Sequence, residues 1–190
     1  MHGYPGTGKT FLALYLTLQR VLKFIERRNK IYVVRSIVPT RDIGFLPGKI
    51  SDKIKVYEQP YVNICNELFG RGDAYDILKQ KGIVEFMPTS WLRGITYRDC
   101  YVIVDEPQNL SWHECDSLVT RVGENCNIIF SGDFRQTDLK GIEREGFLSF
   151  CNIIRRMKKS FDFIEFGVED IVRSGFVREY IIQKIAQRGL

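Results

Sequence analysis

Gly3-Tyr4-Pro5-Gly6-Thr7-Gly8-Lys9-Thr10 follows the spacing G-x-x-x-x-G-K-[ST], with only Met1 and His2 ahead of it. Glycines at those positions let backbone N–H groups turn inward around a phosphate. Lys9 is long enough to reach β and γ phosphate oxygens, and the Thr10 hydroxyl is an oxygen ligand for Mg²⁺. The whole loop, Gly3 through Thr10, is therefore expected to hold a nucleoside triphosphate. Phe11-Leu12-Ala13-Leu14-Tyr15-Leu16 continues as a run of helix formers, so the positive end of a helix dipole points at the same phosphates. The competing reading is a chance match, a turn without a ligand. It is the weaker one, because the specified positions and a following helix coincide.

A second group of reactive residues closes an apolar run, Tyr101-Val102-Ile103-Val104-Asp105-Glu106. A strand ending in two acids suits a site where Asp105 orders a metal shell and Glu106 takes a proton from water. Taken alone, Asp105 is equally well read as a helix cap. A third run, Asn127 to Ser131, leads into Gly132-Asp133-Phe134-Arg135-Gln136, where Gln136 is placed to touch a γ phosphate or the attacking water. By itself Ser-Gly-Asp is ordinary turn chemistry.

These residues need elements to position them. Short β-branched runs at 31–34, 83–86, 101–104 and 127–130 read as buried strands, with a weaker fifth at 161–166. Helical stretches near 9–28, 51–69, 111–122 and 147–157 separate them, which predicts an α/β fold with a mainly parallel sheet covered on both faces. Arg41 to Lys49 reads as an irregular loop. A phosphate loop ordinarily follows a strand, and Met1 and His2 are too short a lead to form a full one. The sequence thus predicts a sheet missing that strand, a loop from Gly3 to Gly8 tethered only through the helix after Lys9, and marginal stability. Residues 1–190 otherwise form one domain without an internal boundary.

Composition narrows the class. The chain has 190 residues, 44% hydrophobic and 13% aromatic, enough for a sizeable core and too apolar for disorder. A formal charge of +5 permits nucleic-acid partners without demanding them. Five cysteines with no C-x-x-C pair argue against a disulfide framework or a zinc site, and His113-Glu114-Cys115 has the wrong spacing for zinc. A reduced, cytoplasmic setting is the simplest reading, with no membrane-spanning run.

Taken in order, the phosphate loop, Val34-Arg35, Gly44-Phe45-Leu46-Pro47-Gly48, Leu92-Arg93-Gly94-Ile95-Thr96, Asp105-Glu106-Pro107-Gln108-Asn109, Leu118-Val119-Thr120-Arg121-Val122-Gly123, the segment from Ser131 to Leu139 and Asp170-Ile171-Val172-Arg173 resemble the PhoH-like ATPases. The resemblance spans essentially the whole chain. It implies a three-layer α/β/α, RecA-like core related to superfamily-one helicases, with ATP and Mg²⁺ as ligands, homo-oligomers that include rings, and a role in RNA metabolism. It also implies that Arg121 or Arg173 is an arginine finger, although a surface ion pair suits each of them as well. Two positions depart from the family pattern, with Pro107 in place of the usual Ala and Val119 ahead of Thr120-Arg121. Trp91 and Tyr97, each near an arginine, are candidates for base stacking or for plain packing. The basic tail from Phe176 to Leu190 is read as a docked helix, with RNA or membrane binding as the alternative.

The reading that unites these features is an ATP hydrolase acting on single-stranded nucleic acid, RNA in particular. Its alternatives are a small-molecule phosphotransferase and a nucleotide-binding remnant without turnover. Glu106 beside Asp105 favours water as the acceptor.

Overall fold

Alternation in the apolar runs decides how the sheet is built. The computed structural model describes residues 1–37, 50–92, 94–134, 139 and 141–188. Four strands, β2 (Lys30–Arg35), β3 (Val84–Pro88), β4 (Cys100–Asp105) and β5 (Asn127–Ser131), pair in parallel in the order β3-β2-β4-β5. Val102 and Val104 point to one face and Tyr101 and Ile103 to the other, and all six residues of β4 are buried. A strand buried on both faces needs a helical layer on each side, and the chain supplies both. Helices α1 (Lys9–Leu22), α2 (Ile50–Phe69) and α3 (Ala74–Gln80) cover one face through Leu14, Leu18, Tyr61 and Tyr75. Helices α4 (Trp112–Val119) and α5 (Ile142–Arg156) cover the other through Cys115, Leu118, Phe147 and Phe150. The expected α/β class with a parallel, doubly covered sheet is therefore the observed one.

Helix α1 stops at Leu22, short of the residue 28 that periodicity predicts. Phe24 takes a left-handed φ of 49°, and the chain turns back so that Glu26 accepts a hydrogen bond from Tyr101 Oη at 2.7 Å. That anchor holds the following segment against the start of β4. Helix α3 gave no periodic signal of its own. It forms beside α2, where Tyr75 Oη donates to the buried Glu58 carboxylate at 2.7 Å. Helix α6 (Gly175–Arg188) closes the described chain and leaves Phe176 and Tyr180 exposed.

The start of the chain differs from expectation in one respect. His2–Gly3 does form a strand, the two-residue β1, paired in parallel with β6 (Glu165–Phe166), and His2 bridges to Gly132 next to β5. The loop that follows is consequently held from several sides rather than through α1 alone. His2 N donates to Ile164 O at 2.9 Å, Gly132 N to Met1 O at 3.3 Å and Val172 N to Gly6 O at 3.0 Å. Backbone groups in a sheet are obligatory hydrogen bonders, so even two residues entering between β5 and β6 find partners there. The stub matches β6 in length and is shorter than the five-residue β5. Beside it, between β5 and residues 160–164, lies a cleft of about 620 Å³ lined by Ile128, Phe130, Met157 and Phe161 among others. Residues Asn127 to Ile129 of β5 are accordingly exposed or half-buried, whereas Phe130 and Ser131 are buried. The weak fifth strand expected at 161–166 is reduced to Glu165–Phe166.

Candidate nucleotide site

The phosphate loop leaves β1, turns through Gly6 and Gly8, both at positive φ (77° and 74°), and enters α1 at Lys9. A residue with a Cβ is strained in that conformation, which accounts for the glycines. Gly8 is the N-cap and supplies no side-chain cap, so the first-turn N–H groups of α1 and the positive end of its dipole face the loop. Lys9 Nζ donates to Gly3 O at 2.9 Å, Tyr4 O at 2.7 Å and Thr7 Oγ1 at 3.2 Å, and Thr7 Oγ1 donates to Tyr4 O at 2.9 Å. Burial lowers the pKa of the Lys9 ammonium, against the pull of the Asp133, Glu106 and Asp105 carboxylates. The lysine therefore sits inside the curl of the loop with three acids around it. Pro5 completes the outer turn between Tyr4 and Gly6.

The strand-end acids arrive from the next layer. Thr10 Oγ1 donates to Asp105 Oδ1 at 2.7 Å, which joins the loop to the end of β4. Asp105 is buried, and its other oxygen accepts from Tyr61 Oη at 2.7 Å, with Arg35 Nη1 3.8 Å away. A hydroxyl and a carboxylate in contact form a hard oxygen donor set that suits Mg²⁺, so the residues present fit that ion. Glu106 follows at φ 51° and ψ 49°, a left-handed conformation that costs a non-glycine residue about 1–2 kcal/mol. Its backbone N–H donates to Ser131 O at 2.9 Å, and its carboxylate accepts from Gln108 Nε2. Burial raises the Glu106 pKa and the Asp105 charge adds to the rise, while Gln108, Arg35 and Lys9 oppose it. A left-handed backbone and a raised carboxyl pKa are both features that concentrate at functional sites.

Pro107 supports this arrangement. It opens a short 3-10 turn, Pro107–Asn109, which places Gln108 back against Glu106. Gly132 packs against that turn so closely that an added Cβ would run into Gln108 Oε1 and Pro107 Cδ. Ser111 then caps α4 with a full capping box, in which Ser111 N donates to Glu114 Oε2 at 2.8 Å and Glu114 N donates to Ser111 Oγ at 3.4 Å. The strand, the acids and the helix beyond them thus follow one another without slack.

Not every expected residue joins the site. Arg173 does, at least with its stem, because its Cγ lies where a Cβ on Gly6 would approach to 3.0 Å and Val172 N hydrogen-bonds Gly6 O. Residues 171–173 form a strap across the loop. Arg121 does not. It follows α4, donates to Ile95 O at 3.3 Å, and lies beside the Tyr97–Val122 bridge that precedes β4 and β5. The length of β4 separates that end of the sheet from Asp105, roughly 16 Å at about 3.3 Å per residue. Gln136, Arg93 and the 41–49 loop with its Gly44–Gly48 motif lie outside the described residues. Tyr97 is core, with its hydroxyl against Met87 Sδ at 3.3 Å, whereas Trp91 is 54% exposed. His113 is on the surface of α4, and no cluster of three or more metal-ligating side chains occurs among the described residues. No helix among them is long and apolar enough to cross a membrane.

Two contributors escaped the sequence reading. Tyr61 lies in the middle of α2 with no motif around it, and only its helical phase, facing the sheet, hints at a buried role. Asp133 was read as part of a turn, yet it is buried and lends its charge to Lys9.

The family model for PhoH-like protein matches residues 1–185. A PhoH-like protein of Bacillus subtilis is 33% identical over 184 residues, covering 94% of this chain and 55% of the relative. Protein PhoH2 of the same organism is 39% identical over 140 residues, covering 72% of this chain and 31% of the relative. Protein PhoH of Escherichia coli is 31% identical over 182 residues, covering 90% of this chain and 48% of the relative. The chain spans about half the length, or less, of these curated relatives. With the match running from the phosphate loop to beyond the strap that crosses it, the chain belongs to the PhoH-like protein family.

Proposed function

We propose that this chain binds ATP with Mg²⁺ and hydrolyses it, and that turnover is coupled to single-stranded nucleic acid, RNA in particular. The observation that carries the reading is the 2.7 Å hydrogen bond from Thr10 to Asp105, which makes the phosphate loop and the strand-end acids one site. In this reading the N–H groups of Gly6 to Thr10 and the Lys9 ammonium receive the phosphates. Thr10 and Asp105 hold Mg²⁺, which when bound neutralises charge building on the phosphate oxygens. Glu106, kept in place by Gln108, takes the proton of the attacking water. Arg173 reaches the loop from within the chain. Arg121, set at the far end of the sheet, suits a contact with a neighbouring copy, and the family resemblance to ring-forming ATPases supports that role. Cytoplasmic residence follows from the same reading.

The test is release of free phosphate from Mg-ATP with no acceptor added, with and without single-stranded RNA. The reading expects release without an acceptor, stimulation by RNA, and RNA binding that weakens steeply with salt as ion contacts to phosphate are lost. Phosphate transfer that appears only with a small-molecule acceptor would replace it with the phosphotransferase reading. ATP binding without any turnover would replace it with the binding-only reading.

A further inference from the structure

At the opposite end of the sheet from the nucleotide site, two cysteines meet. Cys100 opens β4 and Cys126 immediately precedes β5, one position before the registered pair Tyr101–Asn127. Each follows a non-glycine residue at positive φ, Asp99 at 49° and Asn125 at 51°. Those two residues are tied together, with Asn125 Nδ2 donating to Asp99 Oδ1 at 2.9 Å and Asp99 N to Glu124 O at 3.0 Å. Twin strained turns, locked to each other, thus deliver both thiols to the same spot. The Cys100 thiol donates to the Cys126 sulfur at 3.6 Å. Neighbouring parallel strands stand about 4.8 Å apart, inside the roughly 4.4–6.8 Å between Cα atoms that a disulfide accepts.

The two thiols are not equivalent. Cys100 is fully buried, whereas Cys126 is half-buried and lines the cleft beside β5. The hydrogen bond from Cys100 lowers the Cys126 pKa against the effect of its burial, and the Arg28 guanidinium adds to the lowering, while that bond and burial raise Cys100. Burial pushes the other three thiols up, Cys65 to about 12, Cys151 to about 11, and Cys115 likewise. Of the two thiols, the one with the lowered pKa is also the one that small solutes can reach.

We propose that Cys100 and Cys126 form a redox-active dithiol that hydroperoxides oxidise to a disulfide. The Cys126 thiolate attacks one peroxide oxygen. The S–O bond forms, the O–O bond breaks, and the departing oxygen takes up the proton that Cys126 released, leaving as water from hydrogen peroxide or as an alcohol from an organic hydroperoxide. Cys100 sulfur then attacks the Cys126 sulfenic acid, the S–S bond forms, the S–O bond breaks, and a second water carries off the hydroxyl and the Cys100 proton. Two thiols lose two electrons in all, and hydrogen peroxide, the simplest oxidant of the class, gains them. The product ties the amino ends of β4 and β5 and leaves their carboxyl ends, with Asp105, free to bind.

The experiment treats the full chain with hydrogen peroxide at a stoichiometric dose, then counts thiols and maps peptides without reduction. The expected result is a Cys100–Cys126 crosslinked peptide, the loss of two of the five thiols, recovery with dithiothreitol, and a rise in melting temperature. In Cys100→Ser, or in Cys100→Ala should the serine prove too polar for the core, Cys126 stops at a sulfenic acid that dimedone traps. In Cys126→Ser the remaining thiols survive the same dose. Pairing of either cysteine elsewhere, or loss of Cys126 to higher oxides in the unaltered chain with no Cys100–Cys126 link, overturns the proposal.

Discussion

The two flanks of the candidate nucleotide site are built to different standards. On one side, β4 carries Asp105 and is paired along six residues with β2 and five with β5. On the other, the phosphate loop springs from β1, a strand of two residues, beside a cleft along the outer edge of β5. The acids are fixed by the sheet itself, and Tyr61 and Gln108 add bonds that hold each carboxylate. The loop is fixed by what surrounds it, namely α1, the strap at 171–173 and the lysine curled against its own carbonyls. The candidate site is therefore held along whole paired strands on the acid side and through contacts at Met1, His2, Gly3 and Gly6 on the loop side.

That contrast can be broken from the acid side with the largest effect. Glu106→Gln should leave ATP binding intact and cut turnover by about 10²- to 10⁴-fold, as loss of a positioned base does. The pH profile of the unaltered chain sharpens the point. As the proposed base Glu106 would act deprotonated, and its pKa is raised, so activity should fall with acid along a limb that lies above the ordinary glutamate value of 4.5. A limb at or below that value would mean that Glu106 is not the base. Unchanged turnover in the glutamine variant would reduce it to a turn residue.

Tyr61→Phe tests the firmness of the acid side more gently. Removing a hydrogen bond to a buried carboxylate costs about 1.5–3 kcal/mol, to be read from urea unfolding, and magnesium should be needed at higher concentration. No loss of stability would show that Arg35 and Thr10 suffice to hold Asp105. The smallest effect should come from the loop side. A designed chain carrying four or five strand-forming residues ahead of Met1, about the length of β5, would pair with Asn127 to Phe130 and fill the cleft. It should melt higher, by roughly 2–4 °C for each kcal/mol gained. An unchanged melting temperature would show that the two-residue stub anchors the loop as well as a full strand.

Much of the acid side was legible in the sequence, because its signal is local. The run Tyr101–Val104 is apolar at every position and ends in Asp105-Glu106, and both signals occupy consecutive residues. The rest depends on contacts between distant parts of the chain. Tyr61 meets Asp105 across 44 positions, and nothing in its helix distinguishes it from a core aromatic. Arg173 was readable as a functional arginine, but that its stem lies on Gly6 within the same chain follows only from the strap. Gly132 looked like turn chemistry and is instead the place where Pro107 and Gln108 need room. The two-residue β1 was unreadable for a different reason, since no pattern of length two carries a strand signal and its pairing with β6 is wholly tertiary.

Whether both flanks serve one Mg-nucleotide is decided by a calorimetric titration. ATP is titrated into the unaltered chain and into Lys9→Ala, each with magnesium and with a chelator. A shared site predicts binding that strengthens with magnesium in the unaltered chain, and a loss of about 10- to 100-fold in Lys9→Ala, the magnitude of one charged hydrogen bond. Equal affinity for the two proteins, or affinity indifferent to magnesium, would contradict it.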